Sequence, residues 1–469
     1  MPRASRYSPL SAPPPEQPLW RAVAALSGPA IVAGLVSTLV FFTDRLMLGR
    51  YSDQALGSMQ VSGPLLWSIF SVGRALLSGS LAIVGRSIGA ADAATARHAT
   101  LAAVLAATGL GALIGGTGYL CIEPIAALLA GAGPETADLR SMSAVYMAVV
   151  LPVAPLVFLA ETGIVCIQAR GDTRTPLRIG LVAELANVLV SAVLLFGLGP
   201  FPSMGIRGAA IGTATSFTLM AILTTRALGR GPYGVRWSDV SEGLGRARRV
   251  LLPIVRVSLP TFGEKVIFHT GFLVFAALVG RLGETAMTAN QSLIAIESVG
   301  FMTATGFGIA SGALVAQALG AGNAVRAKAV GWTAAALGAV CLGLVSVVFI
   351  AIPEVIIRGF TDDPTVVTLG ARCLRIAAVA QPIMAVCDAL AGGLRGAGDT
   401  RSPMVVALVG PVVVRIAACW ILTVELSWGL VGIWVGTTLD WTVRMIWLSV
   451  VWARGRWVLR AKQRVGTLD

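Results

Sequence analysis

The residues of this sequence with the means to do chemistry are carboxylates set inside long apolar stretches. Asp44, Glu161, Glu184, Glu264, Glu297 and Asp388 all lie in such stretches. A carboxylate at bilayer mid-depth costs ~2.5–3.5 kcal/mol on insertion scales, so each needs a partner or a function. Glu184, Asn187 and Ser191 are spaced i, i+3, i+7 and share one helical face, offering a carboxylate, an amide and a hydroxyl together. In the second half of the chain Lys265 and His269 stand at i, i+4 on one face, directly after Glu264. Pairing of Glu264 or Glu297 with Lys265 is the simplest arrangement there. His269 is either a group that titrates near neutral pH or a hydrogen-bonded packing residue. Asp440 and Arg444, also i, i+4, are expected to neutralise each other. Arg45 follows Asp44, but adjacent helical residues point about 100° apart, so it is not the natural partner of Asp44. Pro29 precedes Asp44 by fifteen residues and Pro260 precedes Glu264 by four.

The elements that must position these groups are membrane-spanning helices. The chain has 469 residues, 56% of them hydrophobic and only 13% charged, which is too little charge to dress a globular surface of this size. A bilayer core of about 30 Å takes roughly 20 apolar residues per helix. Twelve such stretches are predicted, over 20–48, 59–84, 100–120, 142–167, 177–198, 206–228, 250–279, 286–316, 329–352, 368–394, 403–426 and 430–452. They are continuous rather than alternating, which argues for helices and against a β-barrel. The six cysteines, Cys121, Cys166, Cys341, Cys373, Cys387 and Cys419, are scattered without metal-ligand spacing and read as packing thiols.

The formal net charge is +13. Its distribution is that of a topology signal. With the N-terminus inside, the cytoplasmic loops and tails hold most of the arginines, among them Arg86, Arg170, Arg174, Arg248, Arg249, Arg326, Arg395, Arg401 and Arg460. The opposite loops hold fewer, mixed with Glu123, Asp138, Glu354, Asp362 and Asp363. This positive-inside asymmetry predicts a bacterial inner-membrane protein with both termini cytoplasmic. It accounts for the basic excess through lipid headgroups and not nucleic acid.

An internal repeat organises the chain. GRYSDQALGSMQ at 49–60 returns as GRLGETAMTANQ at 280–291, an offset of 231 that also pairs Pro29 with Pro260 and Gly89 with Gly320. VGRSIGAAD at 84–92 answers VAQALGAGN at 315–323. GDTRTP at 171–176 answers GDTRSP at 398–403 at an offset of 227, which pairs Glu161 with Asp388. Six helices separate the copies, an even number, so the halves are expected to be parallel and related by a pseudo-two-fold axis along the membrane normal. The predicted division is a cytoplasmic tail at 1–19, a six-helix bundle at 20–228, a basic cytoplasmic linker at 229–249, a second six-helix bundle at 250–452 and a basic tail at 453–469. Two-lobed proteins of this kind are commonly alternating-access carriers. No Walker-type loop or channel filter is present, so an ion or substrate gradient must supply the energy.

The segment 29–44, the glycine-containing turn after the second helix with its copy, and the paired GDTRTP and GDTRSP loops together resemble the multidrug and toxic compound extrusion (MATE) family, in its DinF-like branch. The resemblance spans about Trp20 to Trp452. It implies twin helix bundles and export of organic, often cationic, compounds in exchange for H⁺ or Na⁺. It implies that Asp44 is the cation or proton site of the first helix and that Pro29, with Pro260 in the second copy, marks where a helix bends. The family's acid four residues after the helix-5 Asn is replaced here: Asn187 matches the Asn, but Ser191 stands in the acid position. Glu184 or Glu161 is expected to substitute beside Asp44. Few oxygens then remain for Na⁺, which favours H⁺. Some branches place cation sites in the second bundle, where Glu264, Glu297, Asp388, Lys265 and His269 are the candidates.

No cofactor or metal is expected, and no enzymatic activity. His98 and His269 are the only histidines, and they are far apart. The expected partners are a small-molecule substrate and the bilayer, with the chain a monomer. The alternative is a flippase of lipid-linked or polysaccharide precursors from the same superfamily. Met59, Met302 and Met384, with Phe41, Phe301 and Trp67, could form an adaptable apolar wall for diverse ligands.

Overall fold

The computed structural model describes residues 18–75, 77–130, 133 and 136–465. The first half begins with α1 (Leu19–Tyr51), α2 (Asp53–Ala75), α3 (Gly79–Gly89) and α4 (Ala93–Leu120). A short α5 (Ile122–Ala130) precedes α6 (Ala137–Val150), which a single 3₁₀ turn joins to α7 (Ala154–Ala169). The half closes with α8 (Arg174–Phe196) and α9 (Ile206–Leu228). The second half comprises α10 (Trp237–Gly280), α11 (Glu284–Gly320), α12 (Ala324–Ala351), α13 (Pro353–Arg358), α14 (Pro364–Gly396), α15 (Arg401–Leu408), α16 (Ile416–Trp420), α17 (Gly429–Arg454) and α18 (Arg456–Val465). Among the described residues, ten helices or joined helices are long and apolar enough to cross a bilayer. The other two crossings of the twelve-helix fold are α2 with its continuation α3, which is interrupted and rich in Gly and Ser, and α17, which carries Asp440, Arg444 and Arg454.

Local chemistry explains where helices stop and turn. The GDTR[TS]P motif is a capping device. Gly171 and Gly398 take left-handed φ values of 80° and 74°. Asp172 then accepts from the Thr175 backbone N–H at 2.9 Å, and Asp399 from that of Ser402 at 3.3 Å, each satisfying an orphan donor in the first turn of the next helix. The turn after α3 is repeated after α11: Asp92 accepts from the Thr95 N–H at 3.0 Å, and Asn323 from the Arg326 N–H at 2.8 Å. Helices α1 and α10 run on through Pro29 and Pro260. Each proline removes one i→i−4 hydrogen bond, leaving the Ala25 and Arg256 carbonyls without their usual helical donors. The crossing that ends at Glu425 is irregular: π-helical turns occupy Val409–Arg415 and Ile421–Glu425 on either side of α16.

The two halves exchange ends. Val23, at the start of α1, is fully buried in a core built from α11, α12, α14 and α17. Ile254, its mate at the offset of 231, is fully buried in a core built from α3, α4 and α7. This reciprocity is what a two-fold relation between parallel halves requires. Gly85 and its own mate Ala316 meet across the seam, where a Cβ on Gly85 would lie 2.7 Å from that of Ala316. A residue can touch its repeat mate only on the axis, so the axis passes between α3 and the end of α11.

Several segments differ from the sequence expectation. The stretch predicted as one helix at 59–84 is broken before Gly79. Part of the basic stretch 229–249 is helical, since α10 starts at Trp237, and the C-terminal tail contains α18. Trp457 of α18 stacks on Trp452 at 4.4 Å between ring centroids, and Arg460 reaches Asp399 at 3.2 Å. Most of the tail at 1–19 lies outside the described residues.

Candidate functional site

The first-half site is built where α1, α8, α9 and α6 converge. Asn187 donates its amide to Asp44 Oδ2 at 3.0 Å. Ser191 donates to Asn187 Oδ1 at 3.1 Å, which orients the amide with its N–H toward the carboxylate. The Ala209 carbonyl of α9 accepts from both Ser191, at 3.5 Å, and Thr213, at 3.2 Å. Tyr146 OH of α6 shares a hydrogen bond with Thr213 at 3.1 Å. Gly212 permits this: a Cβ there would overlap Ser191 Oγ. The other carboxylate oxygen, Asp44 Oδ1, is buried with no hydrogen-bond partner. Arg45 points elsewhere, its guanidinium 3.9 Å from the Phe41 ring centroid. Glu184, one turn before Asn187, accepts from Ser37 of α1 at 3.1 Å and lies within electrostatic reach of Asp44 and Glu161. Asp44, Glu184, Asn187 and Ser191 are thus brought together, and Glu161 on α7 stands beyond Glu184.

The second half holds a different kind of site. Glu264 pairs with Arg395 at 2.5 Å, and not with Lys265 as the local spacing suggested. Asp440, fully buried, accepts from Arg415 at 2.7 Å and from Arg444 at 2.8 Å. The expected Asp440–Arg444 pair therefore exists but is shared with a third residue. A Cβ on Gly410 would overlap Asp440 Oδ1, so the π turn containing Gly410 and Pro411 is what admits this cluster between the helices. Glu297 lies in the field of Arg415 and Arg444, and Asp388 in that of Arg395, Lys265 and Arg444. Both have one buried oxygen with no hydrogen-bond partner. A cavity of about 50 Å³ lined by Glu264, Asp388, Arg395 and Arg444 has room for water and not for a drug-sized ligand.

His269 contacts the first half of the chain. Its Nδ1 meets Ser68 Oγ of α2 at 3.2 Å, and its ring packs edge-on to Trp67 with centroids 4.7 Å apart, so it joins the two halves. Lys265 lies 5.6 Å from the Phe268 ring centroid. Of the proposed apolar wall, Met384 is only 1% exposed and belongs to the core, and Met302 packs where a Cβ on Gly34 would lie 3.2 Å from its sulfur. A separate apolar cavity of about 450 Å³ lies at the seam, lined by Phe42, Ile296, Val299, Phe349 and Phe360. Sequence reasoning did not pick out Ser37, Tyr146, Thr213, Arg395 or Arg415. Arg415 carried a signal, since it is a charge inside an apolar stretch. The hydroxyls carried none.

A MatE family model matches residues 29–228 and 260–421, both copies of the repeat. The chain belongs to the MatE family. Among curated relatives of this family, a probable multidrug resistance protein NorM of Thermotoga maritima is 27% identical over 441 residues, covering 93% of this chain and 92% of that protein. One of the same name from Pseudomonas putida is 30% identical over 434 residues, covering 89% and 91%. A solved structure described as the outward-facing conformation of a multidrug resistance MATE family transporter superposes with a TM-score of 0.86 at 18% identity, covering 95% of this chain and 97% of that one. The fold is the MATE fold of twelve transmembrane helices in two bundles. These relatives carry the NorM name; the DinF-like branch rests on the motifs alone.

Proposed function

We propose that this MatE protein is a multidrug exporter that exchanges its substrate for protons, with Asp44 as the group that takes up and releases the coupling proton. One observation carries the reading. Asp44 and Glu184 are held by neutral donors, an amide and a hydroxyl, whereas Glu264 and Asp440 are held by guanidinium groups. A carboxylate held by neutral donors changes charge without stranding a buried counter-ion. Protonation of Asp44 weakens its charge-assisted bond from Asn187 and so loosens α1 from α8, a local change suited to bias a helix between two positions. Pro29, with its missing helical bond, is the proposed point of bending in α1, and Pro260 its counterpart in α10. Glu184 and Glu161 extend the acidic path beside Asp44, and Asn187 and Ser191 set its geometry. Glu264, Glu297, Asp388, Lys265 and His269 are assigned to support of the second bundle.

The apolar cavity at the seam has the size of a drug-sized ligand, which agrees with apolar or amphipathic substrates. The divisions at residues 19, 228, 249 and 452, a monomer in the bacterial inner membrane and cytoplasmic termini complete the proposal. A Ser241→Cys variant lacking the six native cysteines, labelled only from the periplasmic side, would overturn the topology.

Dye efflux in everted vesicles with imposed gradients tests the coupling. Export that collapses with a protonophore, ignores Na⁺ and is lost in Asp44→Asn supports the proposal. Na⁺-dependent export at zero pH gradient refutes the proton, and wild-type export by Asp44→Asn refutes the site.

A further inference from the structure

The ends of α3 and α11 form a reciprocal contact that none of the transport chemistry above uses. Gly89 lies against the Gln317 carbonyl so closely that a Cβ would overlap it, and Gly320 lies in the same way against the Arg86 carbonyl. Gly89 and Gly320 are repeat mates, and so are Arg86 and Gln317. The two helices therefore cross at backbone contact in a self-complementary way, about the axis marked by Gly85 and Ala316. Hydrogen bonds reinforce the crossing, from donors that are repeat mates to acceptors one position out of register. Arg86 Nη2 of the first half donates to the Ala397 carbonyl of the second. Gln317 Nε2 of the second half donates to the Ala169 carbonyl of the first at 2.8 Å. Both acceptors sit beside the capped GDTR turns, which hold them in place.

We propose that Arg86, Gln317, Gly89 and Gly320 form a releasable clasp that closes the transporter at this end. Two bonds and a glycine-on-carbonyl crossing, placed on the axis itself, must all break if the halves part at this end. They need not move if the halves part at the other. The bonds also go to main-chain carbonyls at helix ends, groups that water can satisfy once the end opens, so release strands no buried polar group. A permanent seam of this length is more simply made with apolar side chains. The pairing of a guanidinium with an amide makes the clasp unequal: the charge-assisted bond from Arg86 is the stronger of the two.

This inference rests on the alternating-access reading and needs neither proton coupling nor a known sidedness. Distances between spin labels on repeat mates test it in reconstituted full-length protein lacking native cysteines. Ala94→Cys with Val325→Cys reads the clasp end, and Asp53→Cys with Glu284→Cys reads the opposite end; all four residues are exposed. The parent protein should show a short distance dominating at the clasp end. Arg86→Ala with Gln317→Ala should raise the ratio of long to short distances there by about ten-fold or more, with a matching shift to shorter distances at the opposite end. Gly89→Leu with Gly320→Leu should do the same by steric exclusion. Should the first double variant not be monodisperse, Gln317→Ala alone carries the test, with a smaller shift in the same direction. Distributions unchanged in folded variants would overturn the clasp. Equal broadening at both ends would also overturn it, because it would make these contacts plain adhesive. Loss of proton-driven export with the distances still responding would fault the coupling proposal and leave the clasp standing.

Discussion

Asp440→Asn and Asp44→Asn are the same chemical change at two aspartates in membrane-spanning helices, and the surroundings predict opposite consequences. Asp440 has no exposed surface and receives Arg415 Nε at 2.9 Å, Arg415 Nη2 at 2.7 Å and Arg444 Nη2 at 2.8 Å on a single oxygen. An Asn in its place keeps the shape and one acceptor and loses the charge that holds two guanidinium groups together. Removing one partner of a buried ion pair costs ~3–5 kcal/mol, chiefly because the other charge is left uncompensated. For cooperative melting of a bundle of some 200 residues this corresponds to a fall in Tm on the order of 5 °C or more. The thiols of Cys387 and Cys419 pack on α17 around this cluster, bonding to the Trp441 and Ile433 carbonyls. In a protein that keeps only these two of its six cysteines, a thiol-reactive dye in detergent would therefore report local melting. Replacing Arg415 and Arg444 by Met, Asp440 by Leu and Glu297 by Gln together should recover most of the lost stability, since an apolar substitute for a whole buried network is often neutral. Glu297 must change too, because it lies in the field of both arginines. An Asp440→Asn protein that melts with the parent would refute the reasoning, as would an Asp44→Asn protein that melts as low as Asp440→Asn.

Three further outcomes follow from the same geometry. Glu264→Gln removes the charge facing Arg395 in a partly exposed pair and should cost ~1–3 kcal/mol, seen as a lower Tm together with faster labelling of Cys387; an unchanged melting point would mean that the pair contributes nothing. Ala91 takes a φ of 57° where its mate Gly322 takes 74°, so Ala91→Gly should stabilise by about 0.5–1 kcal/mol and Gly322→Ala should destabilise by a similar amount; equal signs for the two would contradict the strain argument. Burial works against ionisation of Asp92, but bonds from the Thr95 hydroxyl and from the Thr95 and Ala94 backbone N–H groups outweigh it and hold its carboxyl below the usual range. Its capping contribution is therefore complete above the ordinary carboxylate range and fades as pH falls through the folded value, which hydrogen exchange at the start of α4 should register and Asp92→Ala should abolish.

Much of this architecture was legible because it repeats or because it is apolar. The twelve crossings follow from run length, the two halves from the constant offset, and the shared face of Glu184, Asn187 and Ser191 from helical spacing. Partner choice was not legible. Glu264 has Lys265 beside it in sequence and Arg395 beside it in space, because adjacent residues diverge around a helix while α10 and α14 bring distant ones together. The three-way cluster at Asp440 depends on a π turn at 409–415, and Pro411 signals a break there without specifying its form. The break before Gly79 lies among Gly73, Arg74, Ser78, Gly79 and Ser80, which dilute the apolar run without specifying where the helix stops.

The repeat also explains why the two bundles are not chemically equivalent. Backbone devices are conserved between the copies: the capped GDTR turns, the turns after α3 and α11, the prolines and the glycine crossing all have mates. The charged residues mostly do not. At the offset of 231, Asp44 corresponds to Phe275, which is buried in the second-half core, and Glu264 corresponds to Ala33. At 227, Asn187, Ser191 and Asp440 correspond to Val414, Ala418 and Thr213. Thr213 closes the hydrogen-bond chain from Tyr146 in one bundle, where Asp440 gathers two arginines in the other. A duplicated scaffold needs the same hinges and caps twice to move symmetrically. A group that changes charge during the cycle is needed only once, and in the second bundle Glu264 and Asp440 are tied to guanidinium groups that would be stranded by such a change. On this reading Asp44 of the first bundle is where a proton can do work, while Glu264 and Asp440 of the second stay bound to their guanidinium partners.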